Sequence, residues 1–303
     1  MIILSGTSNE PLAHAIADRL SLPLGDVEIT RFIDNECRVY VKEYVTDTDV
    51  FVVQSLSMIA DQHLIELCLL GQALKDLHAK SVTAVIPWMG YSKQDKAFRK
   101  GEAISAQLVA KLIEAAGFDR VITCELHSET VVPYFHIPVT ELSTHQVLLS
   151  ALPGKSKLTP DSAVVVSPDK GGKSRSELFA KEAGLPVVYL AKARDIESGA
   201  VTVTGIEGDV RGKTVVIFDD IINTGATAVT AARFLMSHGA GSVLFLATHG
   251  VLAGDAADVI SRSEIGPVVV SDTIYIPESK RFPRLTVASV ATLFADAIAA
   301  ATK

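Results

Sequence analysis

The 303-residue chain reads as an α/β protein of two tandem domains, each a mostly parallel sheet flanked by helices. Three observations predict this. Short β-branched runs alternate with longer amphipathic stretches. The alternation repeats, since residues 49–90 and 214–250 each read strand–helix–strand at nearly equal spacing. A Ser-, Pro- and Lys-rich stretch, SALPGKSKLTP, falls between the two halves. The expected domains are 1–146 and 147–303, with the boundary near 146–160.

The expected strands, in order, are MIILSG, DVFVVQS, SVTAVIPWM, RVITCEL, AVVVSP, PVVYLAK, TVVIFDD and SVLFLATHG. Their apolar runs are continuous rather than alternating, as suits strands covered on both faces. The expected helices are EPLAHAIADRLS, ADQHLIELCLLGQALKDLHA, AISAQLVAKLIEAAG, GKSRSELFAKEAG and ATAVTAARFLMSHG. Several end in a Gly suited to the left-handed position that closes a helix. A final helix, SVATLFADAIAAATK, can pack on either domain.

Composition narrows the function classes. Hydrophobic residues make up 48%, enough for a sizeable core, and the formal net charge is -7 with no basic run. Bulk electrostatics therefore give no support for a nucleic-acid partner or an anionic membrane. Cys37, Cys68 and Cys124 are odd in number and far apart, which reads as reduced, buried thiols rather than disulfides or zinc ligands. The N-terminus MIILSGTSNEPL lacks the basic flank of a signal peptide, and no apolar run is long enough to span a bilayer. A cytoplasmic location is expected.

The most informative stretch is VVIFDDIINTGATAVTAARFL, residues 215–235. In an open parallel sheet, ligands bind beyond the carboxyl ends of the strands, and Asp219 and Asp220 stand at such an end. Asn223, Thr224, Gly225, Ala226 and Thr227 then open a helix whose amides and dipole favour an anion. Gly225 allows close backbone approach, and Thr224 and Thr227 add hydroxyl donors. The carboxylates do not serve the phosphate; they accept from hydroxyls, which a ribose supplies. The bland alternative, two solvated acids before a helix, leaves adjacent carboxylates at a buried strand end without partners. Aligning the halves places Gln54 and Ser55 opposite Asp219 and Asp220, so the acidic pair belongs to the second half alone.

Five further segments carry candidate chemistry. Asp169, Lys170, Gly171 and Gly172 follow a strand; the glycines permit an amide nest for polyphosphate oxygens, and Asp169 is a hard oxygen ligand suited to magnesium. Lys192 and Arg194 follow another strand, two residues apart, where both can reach a migrating charged group. Residues 86–107, IPWMGYSKQDKAFRKGEAISAQ, form a polar loop between Gly90 and Gly101 that can close over a nucleotide. In RFIDNECRVYV, residues 31–41, Phe32 can stack on a purine while Asp34 or Glu36 accepts from its amino group. His127, just after the strand ending in Glu125, is by itself more often structural. Plain charged loops and a solvated hairpin are the ordinary readings of these segments.

The 215–235 stretch resembles the phosphoribosyl-pyrophosphate motif of type I phosphoribosyltransferases. The whole chain resembles the ribose-phosphate pyrophosphokinase family, whose members carry two phosphoribosyltransferase-like domains in tandem. The resemblance implies transfer of the β,γ-diphosphoryl group of ATP to the 1-hydroxyl of ribose 5-phosphate, with Mg2+, releasing AMP. It implies an ATP side in the first domain and a ribose 5-phosphate side in the second. It assigns Lys192 and Arg194 to the catalytic loop, with Arg194 also on ribose phosphate. It makes 169–172 the pyrophosphate loop and Asp169 a magnesium ligand. Phe32, Asp34, Asn35, Glu36, Lys93, Gln94, Arg99 and His127 become ATP contacts, with His127 also near the metal. Residues 32–36 are then supplied across a subunit interface, so the resemblance implies a homo-oligomer.

The chain departs from the common pattern in places. Lys93 stands where Arg is usual, KGEAIS after Arg99 is shorter and less basic and closer to archaeal-type variants, and Asn223 stands where the phosphate turn usually begins with Asp. His136 and Thr140 stand where relatives can carry acids, so no cation site is expected there. Two rivals remain: a phosphoribosyltransferase, which leaves the duplicated domain, Lys192/Arg194 and the nucleotide-side loop without a role, and a non-catalytic paralogue, in which the catalytic loop or acidic pair would be disrupted.

Overall fold

The computed structural model describes residues 1–167, 172–194 and 201–302, with only the backbone of 192–194 and 201–204. The first half runs β1 (Ile2–Ser5), α1 (Glu10–Arg19), β2 (Val27–Arg31), β3 (Cys37–Val41), β4 (Asp49–Val53), α2 (Ala60–Asp76), β5 (Ser81–Ile86), α3 (Ser105–Ala115), β6 (Arg120–Cys124) and β7 (Val139–Leu142). The second runs α4 (His145–Ala151), β8 (Ala163–Ser167), α5 (Lys173–Ala183), β9 (Val187–Arg194), β10 (Val201–Glu207), β11 (Thr214–Ile222), α6 (Ala226–Ser237), β12 (Ser242–Gly250), α7 (Ala256–Ser261), β13 (Ile265–Ser271) and β14 (Leu285–Ala288), followed by α8 (Ala291–Ala301).

The first sheet has the order β1-β4-β5-β6-β7 and is parallel throughout. Buried Val50, Val52, Val82 and Val121 from its strands join Leu67, Leu70 and Leu74 of α2 in one core. Strands β2 and β3 stand apart as an antiparallel hairpin. The second sheet has the order β10-β9-β8-β11-β12-β13-β14, parallel except for β10 against β9. Helix α6 shows why the pattern folds this way. Ala228, Ala231, Ala232 and Leu235 repeat at helical spacing, and all four are buried against the sheet.

Removing β9 and β10 leaves β8-β11-β12-β13-β14, the same path as β1-β4-β5-β6-β7. The expected repeat is thus present in the topology. The insertion changes it in one respect. From β8 the chain passes to β9 on one side, and it returns in β11 on the other. Between β8 and β11 the second sheet therefore has a topological switch point, where ligand crevices form in parallel sheets.

The compact units do not follow the linear division at 146/147. One comprises Met1–Ser143, Thr273–Tyr275 and Ser289–Lys303; the other comprises Thr144–Asp272 and Ile276–Ala288. The break falls at 143/144 because Leu148 and Leu149 of α4, with Leu152 just beyond, are buried in the second unit's core. Helix α8 groups with the first unit, packing on α1, and Arg120 Nη1 donates to the Ala301 carbonyl at 3.0 Å. Among the described residues, no helix is long and apolar enough to cross a membrane.

Candidate active site

At the switch point, the described pairing of β11 with β8 runs to Ile217↔Val166, and its pairing with β12 runs to Ile222↔Gly250. The acids expected at a strand end, Asp219 and Asp220, are thus still within β11.

The turn after β11 depends on one glycine. Gly225 has φ 76°, a left-handed value that favours glycine, and an added Cβ would lie 2.8 Å from Ile260 Cγ1. Helix α6 begins immediately afterwards with no side-chain cap and no acid in its first turn. Val229 N donates to Gly225 O at 2.9 Å, and Ala253 N donates to Asn223 O at 3.0 Å, which fixes the turn from behind. Asn223, Thr224, Ala226 and Thr227 are exposed. An uncapped helix start with exposed hydroxyls suits an anion.

The acidic pair has a partner that sequence reasoning missed. Arg175 of α5 places Nη1 2.8 Å from Asp220 Oδ1 and 3.4 Å from Asp219 Oδ1. The backbone N of Asp220 also donates to Asp219 Oδ1 at 3.0 Å. The Asp220 side chain is 2% exposed and that of Asp219 20%. Burial of a carboxylate costs free energy unless a counter-charge accompanies it, and Arg175 supplies one.

Lys192 and Arg194 lie within β9 rather than after it, with backbones paired to Val203 and Val201 of β10. Their side chains are outside the described set, as are Asp169, Lys170 and Gly171 entirely. Gly172 stands at the N-cap of α5, which has no side-chain cap and no first-turn acid.

In the first unit, the 86–107 loop is anchored by a residue that was not singled out. Asp95 is buried; Thr130 Oγ1 donates to its Oδ2 at 2.8 Å, and Tyr134 Oη donates to its carbonyl at 2.6 Å. Burial pushes its carboxyl up, but hydrogen bonds from Thr130 and Ser128 and the charge of Lys96 outweigh this and leave it below the usual range. Asp95 thus ties the segment holding Lys93, Gln94 and Arg99 to the segment after half-buried His127. Ser105 Oγ donates to Gln94 Oε1 at 2.7 Å, Glu102 accepts from the amides of Phe98 and Arg99, and Lys93 Nζ lies 5.9 Å from the Trp88 ring centroid. His136 is engaged by Glu114 Oε2 at 3.1 Å, in keeping with a structural role.

Phe32, Asp34, Asn35 and Glu36 form the five-residue tip of the β2–β3 hairpin with Ile33. Phe32 N donates to Glu36 O at 2.9 Å, and Asn35 takes a left-handed φ of 72°. Phe32 is 55% exposed, and Ile33 is fully exposed.

Among the described residues, no group of three His, Cys, Asp or Glu side chains is placed to hold a metal. The described carboxylates at the second sheet's end, Asp219 and Asp220, are both within reach of Arg175.

A parallel sheet with an anion-suited turn beside its switch point defines the class: an α/β protein built to hold ligands at the carboxyl end of its sheet. Comparison with known proteins narrows the class. Residues 1–117 match the family model for the N-terminal domain of ribose phosphate pyrophosphokinase, and 162–302 match that for the phosphoribosyl synthetase-associated domain. A ribose-phosphate pyrophosphokinase of Caldanaerobacter subterraneus is 41% identical over 98% of this chain and 93% of that protein. One from Thermotoga maritima is 39% identical over 98% and 94%. The crystal structure of phosphoribosylpyrophosphate synthetase from Mycobacterium smegmatis superposes with a TM-score of 0.92 at 35% identity, covering 99% of this chain and 98% of that one. The chain belongs to the ribose-phosphate pyrophosphokinase family.

Proposed function

We propose that the chain performs the reaction of its family. It transfers the diphosphoryl group of ATP to the 1-hydroxyl of ribose 5-phosphate, giving 5-phosphoribosyl 1-pyrophosphate and AMP. The observation that carries this reading is full-length membership of the family, at 41% identity over 98% of the chain.

The residue roles below are our reading. The sugar 5-phosphate rests on residues 223–227, where helix amides and two threonine hydroxyls converge. Asp219 and Asp220 meet the ribose hydroxyls. Loop 169–172 holds the transferred phosphates, and Lys192 and Arg194 offset charge as it develops on them. Gln94, Lys93, Arg99 and His127 take the nucleotide phosphates. Phe32 stacks on adenine, with Asp34, Asn35 and Glu36 accepting from or bracketing its edge.

A magnesium ion held by Asp169 and His127 would neutralise phosphate oxygens when bound. No side chain is assigned as general base. The exposed apolar hairpin tip supports a homo-oligomer in which residues 32–36 complete a neighbour's site. ATP and ribose 5-phosphate are then the partners, and a cytoplasmic location accompanies this role.

The direct test is incubation with ATP, magnesium and ribose 5-phosphate. AMP formed in proportion to sugar supports the synthetase. Product only from pre-formed phosphoribosyl pyrophosphate and a base would mark a phosphoribosyltransferase instead. ATP binding without turnover would mark a regulatory paralogue.

A further inference from the structure

Asp219 and Asp220 enter the reading above as a pair, yet their surroundings differ. Consecutive strand residues leave on opposite faces of a sheet. Ile217 packs in the cluster with Ala228, Ala231 and Leu235 of α6. Phe218 packs in the other cluster, with Phe179 of α5. Further along, Ile222 joins the Ile217 cluster, so alternation alone does not assign the acids to faces. Their exposures separate them, at 20% for the Asp219 side chain and 2% for Asp220.

Arg175, on α5, makes the shorter contact to the buried acid, 2.8 Å against 3.4 Å. Its own side chain is 17% exposed, so both members of the closer pair are largely out of water. The next residue, Ser176, reaches the Phe218 carbonyl with its Oγ at 3.5 Å, so α5 holds β11 at consecutive positions. A carboxylate held this way is a poor ligand for a sugar arriving from solvent, because contact would first require breaking a desolvated ion pair. A bidentate grip by two equal acids does not match this geometry.

We propose that the pair divides its work. Asp219, the more exposed of the two, is the carboxylate that accepts from the pentose hydroxyls. Asp220 and Arg175 are positioning residues: their buried ion pair fixes the end of β11, and the second, longer contact from Arg175 together with the Asp220 amide orients Asp219. This rests on the ribose 5-phosphate reading of the second unit.

The test is a double-mutant cycle on ribose 5-phosphate affinity, read by titration calorimetry on the full chain, with urea unfolding alongside. Asp219→Asn raises the ribose 5-phosphate Kd roughly tenfold or more without changing stability, as expected for a lost charge-assisted hydrogen bond. Arg175→Gln also raises that Kd, and its effect shrinks to less than about twofold when Asp219→Asn is already present. Asp220→Asn lowers stability and changes affinity less than Asp219→Asn does. Arg175→Lys restores part of the affinity, and it replaces Gln in the cycle if Arg175→Gln does not fold.

Two results overturn the proposal. One is Asp220→Asn weakening ribose 5-phosphate as much as Asp219→Asn at unchanged stability. The other is an Arg175 effect that is the same with and without Asp219. Wild-type protein that forms AMP with ribose 5-phosphate while failing these tests keeps the function and loses the division of work. Wild-type protein that does not bind ribose 5-phosphate loses the underlying reading instead.

Discussion

The two sheets share one strand path, yet at the end of β1 in the first the loop is filled from within. Glu66, 1% exposed on α2, accepts from Thr7 N at 2.7 Å, Thr7 Oγ1 at 2.8 Å and Gln54 Nε2 at 2.6 Å. Gln54 Oε1 in turn accepts from Ser8 N, and Ser8 Oγ accepts from Ser55 N. Asn9 caps α1 by accepting from Leu12 N. An internal carboxylate thus meets the donors that an outside anion would need. In the second unit the corresponding helix, α5, starts at Gly172 with no side-chain cap, and the strand matching β4 carries Asp219 and Asp220 where β4 is followed by Gln54 and Ser55. The first sheet has no switch point along its path, and the second acquires one from β9 and β10. The difference teaches that a repeated fold can keep its frame while the polar groups at its strand ends are rebuilt, an internal Glu66 network in one unit and an Arg175-paired acidic couple in the other.

The sharpest way to break that contrast is through the β9 end. Lys192→Ala should lower kcat by roughly 10²–10³-fold, the scale of removing one charge-stabilising donor, while ATP affinity changes little. Single-turnover kinetics with a separate nucleotide titration would check it, and unchanged turnover removes the assignment. The first unit should answer oppositely. Glu66→Ala should cost about 2–3 kcal/mol of stability by orphaning buried donors, with KM for ribose 5-phosphate unchanged. Urea unfolding and steady-state kinetics measure the two halves of that statement. A Glu66 variant as stable as wild type would mean its loop is not part of the core.

Smaller effects refine the picture. Gly225→Ala should destabilise by about 1–2 kcal/mol, since a side chain is placed at left-handed φ and against Ile260, and it should raise the ribose 5-phosphate KM several-fold. A KM that stays put would detach the turn from the sugar. The smallest effect concerns Asp95. Its folded-state pKa is depressed, so its contribution is full above the ordinary aspartate value near about 3.9 and is lost as pH falls through the folded value. Asp95→Asn should cost about 1 kcal/mol at neutral pH and should lose less stability than wild type between pH 5 and 2. Thermal melts across that range read the slopes, and identical slopes would show that Asp95 does not anchor the loop.

Much of the architecture was legible because local patterns carry it. Continuous apolar runs marked the central strands, and helical spacing marked α1, α2, α3, α5 and α6. Strands β7, β10, β13 and β14 and helices α4 and α7 are short or mixed in pattern, and they were missed. Their pairing comes from neighbours rather than from their own periodicity. The hairpin tip was legible as a hairpin, whereas its exposed Phe32 and Ile33 became visible only in three dimensions.

By itself, the sequence determined the two-domain α/β frame, the anion-suited turn after Asp219 and Asp220, and the segments that resemble a diphosphoryl-transfer site. Adjacent residues can specify a strand, a glycine turn and a helix start, because these are short-range geometry. Only the tertiary structure decided that Arg175 meets acids 44 and 45 positions away, that Glu66 fills a loop 59 positions away, and that Asp95 is held by Thr130 across 35. It also decided that α8 returns to the first unit. Such partners are chosen by which buried charges and donors packing brings together, and no local propensity encodes that choice.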